Sequence, residues 1–410
     1  MRISKRLKKV MLFSTAVVVI GSSFMVMAIS NNKPPLLPER ASNAADIYTG
    51  QKQEKLFSPV SFMIQPMERL MLINFEADPD DVYIGFEPQV FDDDVHGRGF
   101  LVIAWRTDGY VDVYHQPSMN LNPDMYQITG KGLMQMSERP LKDAFLEIGA
   151  NGVSTYFSFE DTKGREIEVQ VRESSSKKRK PFGLLAPMGD AVENPTSMPL
   201  VLLKDFYFVR RADTKVMIRI DERIHQPDAL PLPIDFQTMY FIRYSPDPLI
   251  LLLNPDANTV LHPLTIVDKK TAVSDQLQYD LVHHADQLEI QTIRGSQNGQ
   301  IVELHFSPAL PNLVNLKDQI KLEGEFFITG DVSLGMISGI YKIKKQQETV
   351  QMELIPADGW QPYEKKMSVN FLYYINDMFK KWPSTYRWQA VIDLSEPEIV
   401  HIESKWKREN

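Results

Sequence analysis

The 410-residue sequence contains no cysteine. That excludes a disulfide framework, a thiolate zinc site, an iron–sulfur cluster, a cysteine nucleophile and a lipid-modified cysteine. Acidic residues are missing from the first thirty positions, which carry Arg2, Lys5, Arg6, Lys8 and Lys9. The other 40 Lys and Arg face 53 Asp and Glu, a net of −13 on the rest of the chain. A field of that sign argues against nucleic acid as a partner. Catalytic signatures are missing too: there is no GxSxG, no phosphate-cradling GxxxxGK[ST] and no HExxH. GRGF at 97–100 opens a strand rather than a helix, so it is not a dinucleotide fingerprint. With 43% hydrophobic residues the chain is not disordered, and its length suits two or three domains.

Long uncharged runs are lacking except at Val10 to Ile29, so the chain is not polytopic. Twenty residues at ~1.5 Å each match the ~30 Å hydrocarbon layer of a bilayer. The positive charges before the run predict the N-terminus inside and the bulk of the chain outside the cytoplasm. The run reads as a retained signal anchor. The alternative is a signal peptide cleaved after Val26-Met27-Ala28, giving a secreted protein. Residues 1–9 are then a basic cytoplasmic tail and residues 30–58 a polar, Pro-containing tether, expected to be poorly ordered.

The body has the rhythm of an all-β protein. In LVIAWRTDGYVDVYHQ a two-residue Asp108-Gly109 turn predicts a hairpin. That register puts Leu101, Ile103, Trp105, Tyr110, Asp112 and Tyr114 on one face. Val102, Ala104, Arg106, Val111, Val113 and His115 take the other. Both faces are largely apolar, so the hairpin is expected to be covered on both sides. Further hairpins are predicted around Asp161–Gly164, Ala212–Thr214, Asn298-Gly299, Gln346–Glu348 and Ser395–Pro397. Alternation of Ile167, Val169 and Val171 with polar neighbours marks a half-exposed strand. A single helix is predicted from Ser368 to Trp382. The fold class is therefore all-β, as two antiparallel barrel or sandwich lobes over 59–260 and 261–410.

Few residues carry chemistry. Asp92, Asp93, Asp94 and His96 could hold a hard cation, but a solvated loop explains them as well. Adjacent strand residues such as His283 and His284 point to opposite faces, so one ion would need help from elsewhere, such as His305. No metal site and no cofactor is expected. Lys177, Lys178, Arg179 and Lys180 read as a solvated loop. In the predicted register Asp112 lies among Trp105, Tyr110 and Tyr114, where desolvation would suit a general acid. A structural hydrogen bond to a tyrosine or to Arg106 is the alternative.

Three segments together carry a family likeness: GFEPQVFDDDVHGRGFLVIAWRTDGYVDVYHQP, FGLLAPMG with PLVLLKDFYFVRR, and SGIYKIKKQQETVQMELIPADGW. In length and strand rhythm, over residues 75–395, the chain resembles the two-lobed lipocalin-like proteins, including the hydroxyneurosporene synthase (carotenoid hydratase)-like group. The resemblance implies two consecutive lipocalin-like barrels and a hydrophobic ligand. Family enzymes protonate an isoprenoid double bond with acidic and aromatic residues, but no motif carries those residues over to particular positions here.

Three functions follow as expectations. The first is a non-enzymatic, membrane-tethered extracytoplasmic protein whose apolar cavity binds a lipid, isoprenoid or similar amphiphile, with Trp105, Tyr110, Asp112 and Tyr114 as ligand-binding candidates. The second is a hydratase or isomerase with Asp112 as proton donor and Trp105 and Tyr114 as cation-stabilising walls. The third is a β-sandwich module that binds envelope glycan or protein through exposed aromatics.

Overall fold

The computed structural model describes residues 36–38, 41, 43, 46–50, 55–175, 177, 179–187, 192, 194–231, 233–234, 236–363, 366, 369–370, 373, 384–396 and 399–409. The protein is all-β, with 61% strand, 4% helix and curled sheets. Among the described residues three sheets form. The first has ten strands. Its order is Phe62–Gln65, Leu249–Leu253, Met198–Arg210, Met239–Ser245, Arg69–Asn74, Tyr83–Asp93, Gly97–Arg106, Val111–His115 and Leu133–Glu138, with Phe182–Pro187 also paired to Met198–Arg210. The second has five: Arg223–His225, Thr214–Ile220, Glu166–Glu173, Gly152–Glu160 and Phe145–Gly149.

The third sheet has eleven strands and is a near-continuous meander from Thr265–Ile266 to Ile399–Arg408. The last of these strands pairs with Ala257–Leu261, which immediately precedes the first. The two ends of the meander are thereby brought to one short connection, 262–264. The chain leaves the first sheet at Leu253 and joins the third at Ala257.

Strand alternation assigns each face of the first sheet to its own core. One face packs on the five-stranded sheet. There Phe86, Phe100 and Tyr114 meet Phe157 and Phe159, with ring centroids 6.0 Å apart for Phe86–Phe157 and 4.4 Å for Tyr114–Phe159. The opposite face carries Leu101, Ile103, Val111, Val113 and Phe206. It belongs to a second core that continues without a break into the third sheet, through Leu251, Phe306, Tyr341, Trp388 and Trp406. Trp388 and Trp406 are directly paired across strands, and both are buried. The first and third sheets are further joined by Trp406 Nε1, which donates to the carbonyls of Leu253 and Asn254, each at 3.0 Å. Gly183 lies so close to the Ser333 carbonyl that a Cβ there would stand 1.9 Å from it.

Most predicted hairpins form. The Asn298-Gly299 turn has positive φ at both residues, 49° and 74°, and joins the paired strands Gln287–Gln297 and Gln300–Leu310. The strands around Asp161–Gly164, Gln346–Glu348 and Ser395–Pro397 pair as expected. Ile167, Val169 and Val171 are buried between exposed or half-buried neighbours. Of the predicted helix 368–382, only Val369, Asn370 and Tyr373 fall within the described residues, and these three are helical.

Four expectations are corrected. The Asp108-Gly109 hairpin closes one residue later than predicted. Arg106 N donates to Tyr110 O at 3.0 Å, and Trp105 pairs with Val111 rather than Asp112. The loop is the three-residue Thr107-Asp108-Gly109, with Gly109 at φ 88°, the bulged alternative to a two-residue turn. A one-residue slip moves a whole strand to the opposite face. Asp112 and Tyr114 therefore stand with Arg106, away from Trp105. Secondly, strands Met198–Arg210 and Thr214–Ile220 form where expected but do not pair, because the chain crosses there to the five-stranded sheet.

The third correction concerns the tether. Ile47, Tyr48, Leu56 and Phe57 are buried in the core that the first and third sheets share. Thr49 N donates to Asn315 O at 3.0 Å, and Lys317 N donates to Ile47 O at 2.9 Å. Tyr48 OH donates to the buried Glu289 at 2.5 Å. The fourth concerns one residue of the basic loop, whose Lys177 and Lys180 are exposed as expected. Arg179 is half-buried, with its guanidinium over the rings of Tyr207 and Tyr244 at 5.2 and 5.6 Å. Residues 1–35, including the predicted anchor, lie outside the described residues. Among the described residues no helix is long and apolar enough to cross a membrane.

Candidate functional site

The face of the ten-stranded sheet turned away from the five-stranded sheet carries buried polar side chains. In strand Tyr83–Asp93 the outer alternation reads Gly85, Glu87, Gln89, Phe91, so two polar side chains interrupt an apolar stripe. Both are buried: Glu87 is 8% exposed and Gln89 3%. Gln89 Nε2 donates to Glu87 Oε1 at 2.8 Å, and Trp105 Nε1 donates to Glu87 Oε2 at 3.1 Å. Burial raises the Glu87 carboxyl above its ordinary range, against the opposing pull of these two donors and of Arg243.

Arg243 enters the same face from Met239–Ser245. The strand registers place Phe208 beside Arg243, Arg243 beside Leu72, and Leu72 opposite Glu87. The arginine and the acid are thus two strands apart, about 10 Å between backbones at normal strand spacing. The guanidinium lies over the Phe241 ring, 3.9 Å from its centroid. Nη2 donates to Asn74 Oδ1 at 2.5 Å, and Asn74 in turn donates to Glu76 at 2.9 Å, which orients the amide. Nε is buried with no partner among the described residues. Burial pushes this guanidinium down to about 10, even though Glu87, Glu76 and Asp228 all act in the other direction.

Around these polar groups the face is apolar and half-buried, with Leu72, Trp105 and Phe208 packed at the margin of the core. On one side the 117–132 connection folds over it and brings in Met119, Leu121, Met125 and Tyr126. The Tyr126 hydroxyl is raised by its own burial, with Glu87 adding to the effect. The arrangement sets a carboxyl, two amides and a guanidinium into a largely apolar wall.

The residues predicted from sequence divide between two environments. Trp105 stands in this site. Asp112 and Tyr114 lie on the other face, in the filled core against the five-stranded sheet, and both are fully buried. Asp112 Oδ2 accepts from Arg106 Nη1 at 3.0 Å and from Tyr83 OH at 3.1 Å; the Tyr83 and Tyr114 hydroxyls are 2.9 Å apart. Tyr110 sits at the hairpin turn with 37% exposure, apart from the other three.

Among the described residues no group of three or more His, Asp or Glu could hold a metal ion. Asp93 instead caps its own turn, accepting from the amides of Val95 and His96, each at 2.8 Å. Glu87, Gln89 and Arg243 were not singled out from the sequence. Their signal is local: in YIGFEPQVF and MYFIRYS, charged or amide residues occupy positions that period-two alternation assigns to a covered face.

No protein-family model, no curated protein and no solved structure matches this chain.

Proposed function

We propose that this chain is an extracytoplasmic binding protein, held at the membrane by residues 10–29, that takes an amphiphile against the Leu72–Trp105–Phe208 face of its first sheet. The observation that carries the reading is a half-buried apolar face that holds the polar side chains Glu87, Gln89, Asn74 and Arg243. A wholly structural face would have little use for a carboxyl and a guanidinium that do not pair with each other. The near-return of the third sheet's meander on itself, through the pairing of its last strand with Ala257–Leu261, supports a lipocalin-like reading of the second lobe. Its aromatic interior is packed with Tyr341, Trp388 and Trp406, which favours the first lobe as the ligand's place. The proton-donor role for Asp112 gains no support from its setting, since it is fully buried and paired to Arg106 in a filled core.

The test is solvent extraction of the purified full-length protein followed by mass spectrometry of the released small molecules. The control is residues 1–58 fused to an unrelated soluble domain, which accounts for lipid carried by the membrane segment. A near-stoichiometric amphiphile above the control is expected. A profile equal to the control would overturn the proposal.

A further inference from the structure

Arg243 is the least satisfied charge on the binding face. Its guanidinium has one hydrogen bond, to the neutral Asn74, and no carboxylate oxygen within ion-pair distance among the described residues. Its Nε is buried and unpaired. The nearby carboxylates are engaged elsewhere. Glu76 accepts from the Asn74 amide, and Asp228 accepts from the backbone amides of Glu76 and Ala77 at 2.8 and 2.9 Å. Glu87 is occupied by Gln89 and Trp105. Phe241 supports the guanidinium from one side, and this fixes its plane without supplying negative charge.

An unneutralised guanidinium at an apolar surface is costly. It is the group best suited to a planar oxyanion, because its fork of donors matches one. The adjoining row of side chains, Leu72, Trp105 and Phe208, is apolar. A ligand that satisfies both parts has an oxyanion at one end and a hydrocarbon chain at the other.

Resting on the amphiphile-binding reading above, we infer that Arg243 is the headgroup-recognition residue, and that the ligand class is a long-chain amphiphile with a carboxylate head rather than a neutral one. The head meets Arg243 Nε, Asn74 holds the guanidinium in position, and the chain lies along the Trp105 side of the sheet. Arg243 is a specificity-determining residue in this assignment. It selects among amphiphiles that the apolar face would otherwise accept alike.

The experiment uses the full-length protein in lipid nanodiscs with two photoreactive probes of equal chain length, a diazirine-bearing palmitate and a diazirine-bearing hexadecanol. Adducts are mapped by peptide mass spectrometry. A charge-assisted hydrogen bond in a desolvated site corresponds to a preference of about tenfold or more. The wild-type protein is therefore expected to be labelled at least about tenfold more by the palmitate probe, within 69–106 or 198–245. Arg243→Met should bring palmitate labelling down to the hexadecanol level of the same variant, and Arg243→Lys should restore part of the preference. Equal labelling of this face by both probes in the wild-type protein would overturn the headgroup assignment while leaving amphiphile binding standing. Labelling of the face by neither probe would overturn the binding reading itself. The wild-type comparison needs no variant, so it remains decisive even if Arg243→Met does not fold.

Discussion

Removing Arg106 should destabilise the protein more than removing Asp112, although the two are partners in one ion pair. The Asp112 carboxylate is fully buried, whereas the Arg106 side chain is 18% exposed. Asp112→Ala deletes the bonds from Arg106 Nη1 and Tyr83 OH, at 3.0 and 3.1 Å. The groups left behind are not stranded. Arg106 keeps Asp108 at 2.9 Å, and the Tyr83 hydroxyl keeps Tyr114 at 2.9 Å. Two charge-assisted bonds are worth about 1.5–3 kcal/mol each, and the surviving partners reduce the loss, so a cost of about 2–4 kcal/mol is expected. Arg106→Met is different. It leaves a buried carboxylate with a single neutral donor, and an uncompensated buried charge costs about 3–5 kcal/mol. Asp112→Asn keeps the shape and an acceptor for Tyr83, so it should cost least, about 1–2 kcal/mol. The assay is urea unfolding of the full-length protein, followed by tryptophan fluorescence and by far-ultraviolet circular dichroism. The expected order of loss is Arg106→Met, then Asp112→Ala, then Asp112→Asn. If Asp112→Asn proved more stable than the wild-type protein, Asp112 would be a strained functional group, and the structural account of it would be refuted.

Three further outcomes are expected. Gly183→Ala puts a Cβ 1.9 Å from the Ser333 carbonyl, a backbone atom that cannot swing aside, so it should cost at least about 1–3 kcal/mol and lower the urea midpoint. Glu87→Gln should help more as pH rises. Because burial raises the carboxyl above the ordinary glutamate value of 4.5, the wild-type residue contributes fully below that value and loses its contribution as pH climbs through the folded value. Urea midpoints from pH 4 to pH 8 should diverge in favour of Gln, and a constant difference would contradict the assignment. Tyr48→Phe removes the donor to Glu289 and the acceptor for the Asn312 amide, about 1–2 kcal/mol in all. Hydrogen exchange at the Thr49 and Lys317 amides should quicken, while the core strands of the five-stranded sheet stay unchanged.

Strand identity was readable because period-two alternation and turn chemistry act locally. Asn298-Gly299 meets the positive-φ requirement of a tight turn with the two residues best suited to it, and the hairpin forms as read. Asp108-Gly109 looks equivalent, yet Thr107 joins the loop and every following side chain changes face. Two turn types with nearly the same sequence demand differ by one residue in register, and only packing on both sides of the sheet chooses between them. For that reason Trp105 was assigned to the same face as Asp112 when its partner is Glu87. Pairings across the chain were beyond reach in the same way. Nothing local tells strand Thr214–Ile220 to join Glu166–Glu173 rather than the strand just before it. The polar Tyr48 segment reads as a linker until Glu289 and Asn315 appear opposite it.

The burial of that early segment sets the order in which the protein can be completed. Tyr48 and its partner Glu289 are 241 residues apart, and Asn43 and Ala309 are 266 apart. At a synthesis rate of ~5–20 residues per second, roughly 12–50 s pass between the emergence of Tyr48 and that of Glu289. During that interval the segment lacks its third-sheet partners Glu289, Asn315 and Lys317. The first strand, Phe62–Gln65, is in the same position, because its partner Leu249–Leu253 is also made late. The two-sheet packing around Phe157 can finish once Tyr244 has emerged, while the Tyr48 segment stays unpaired until the third sheet exists. A segment that precedes the whole first sheet is thus held by residues that follow it.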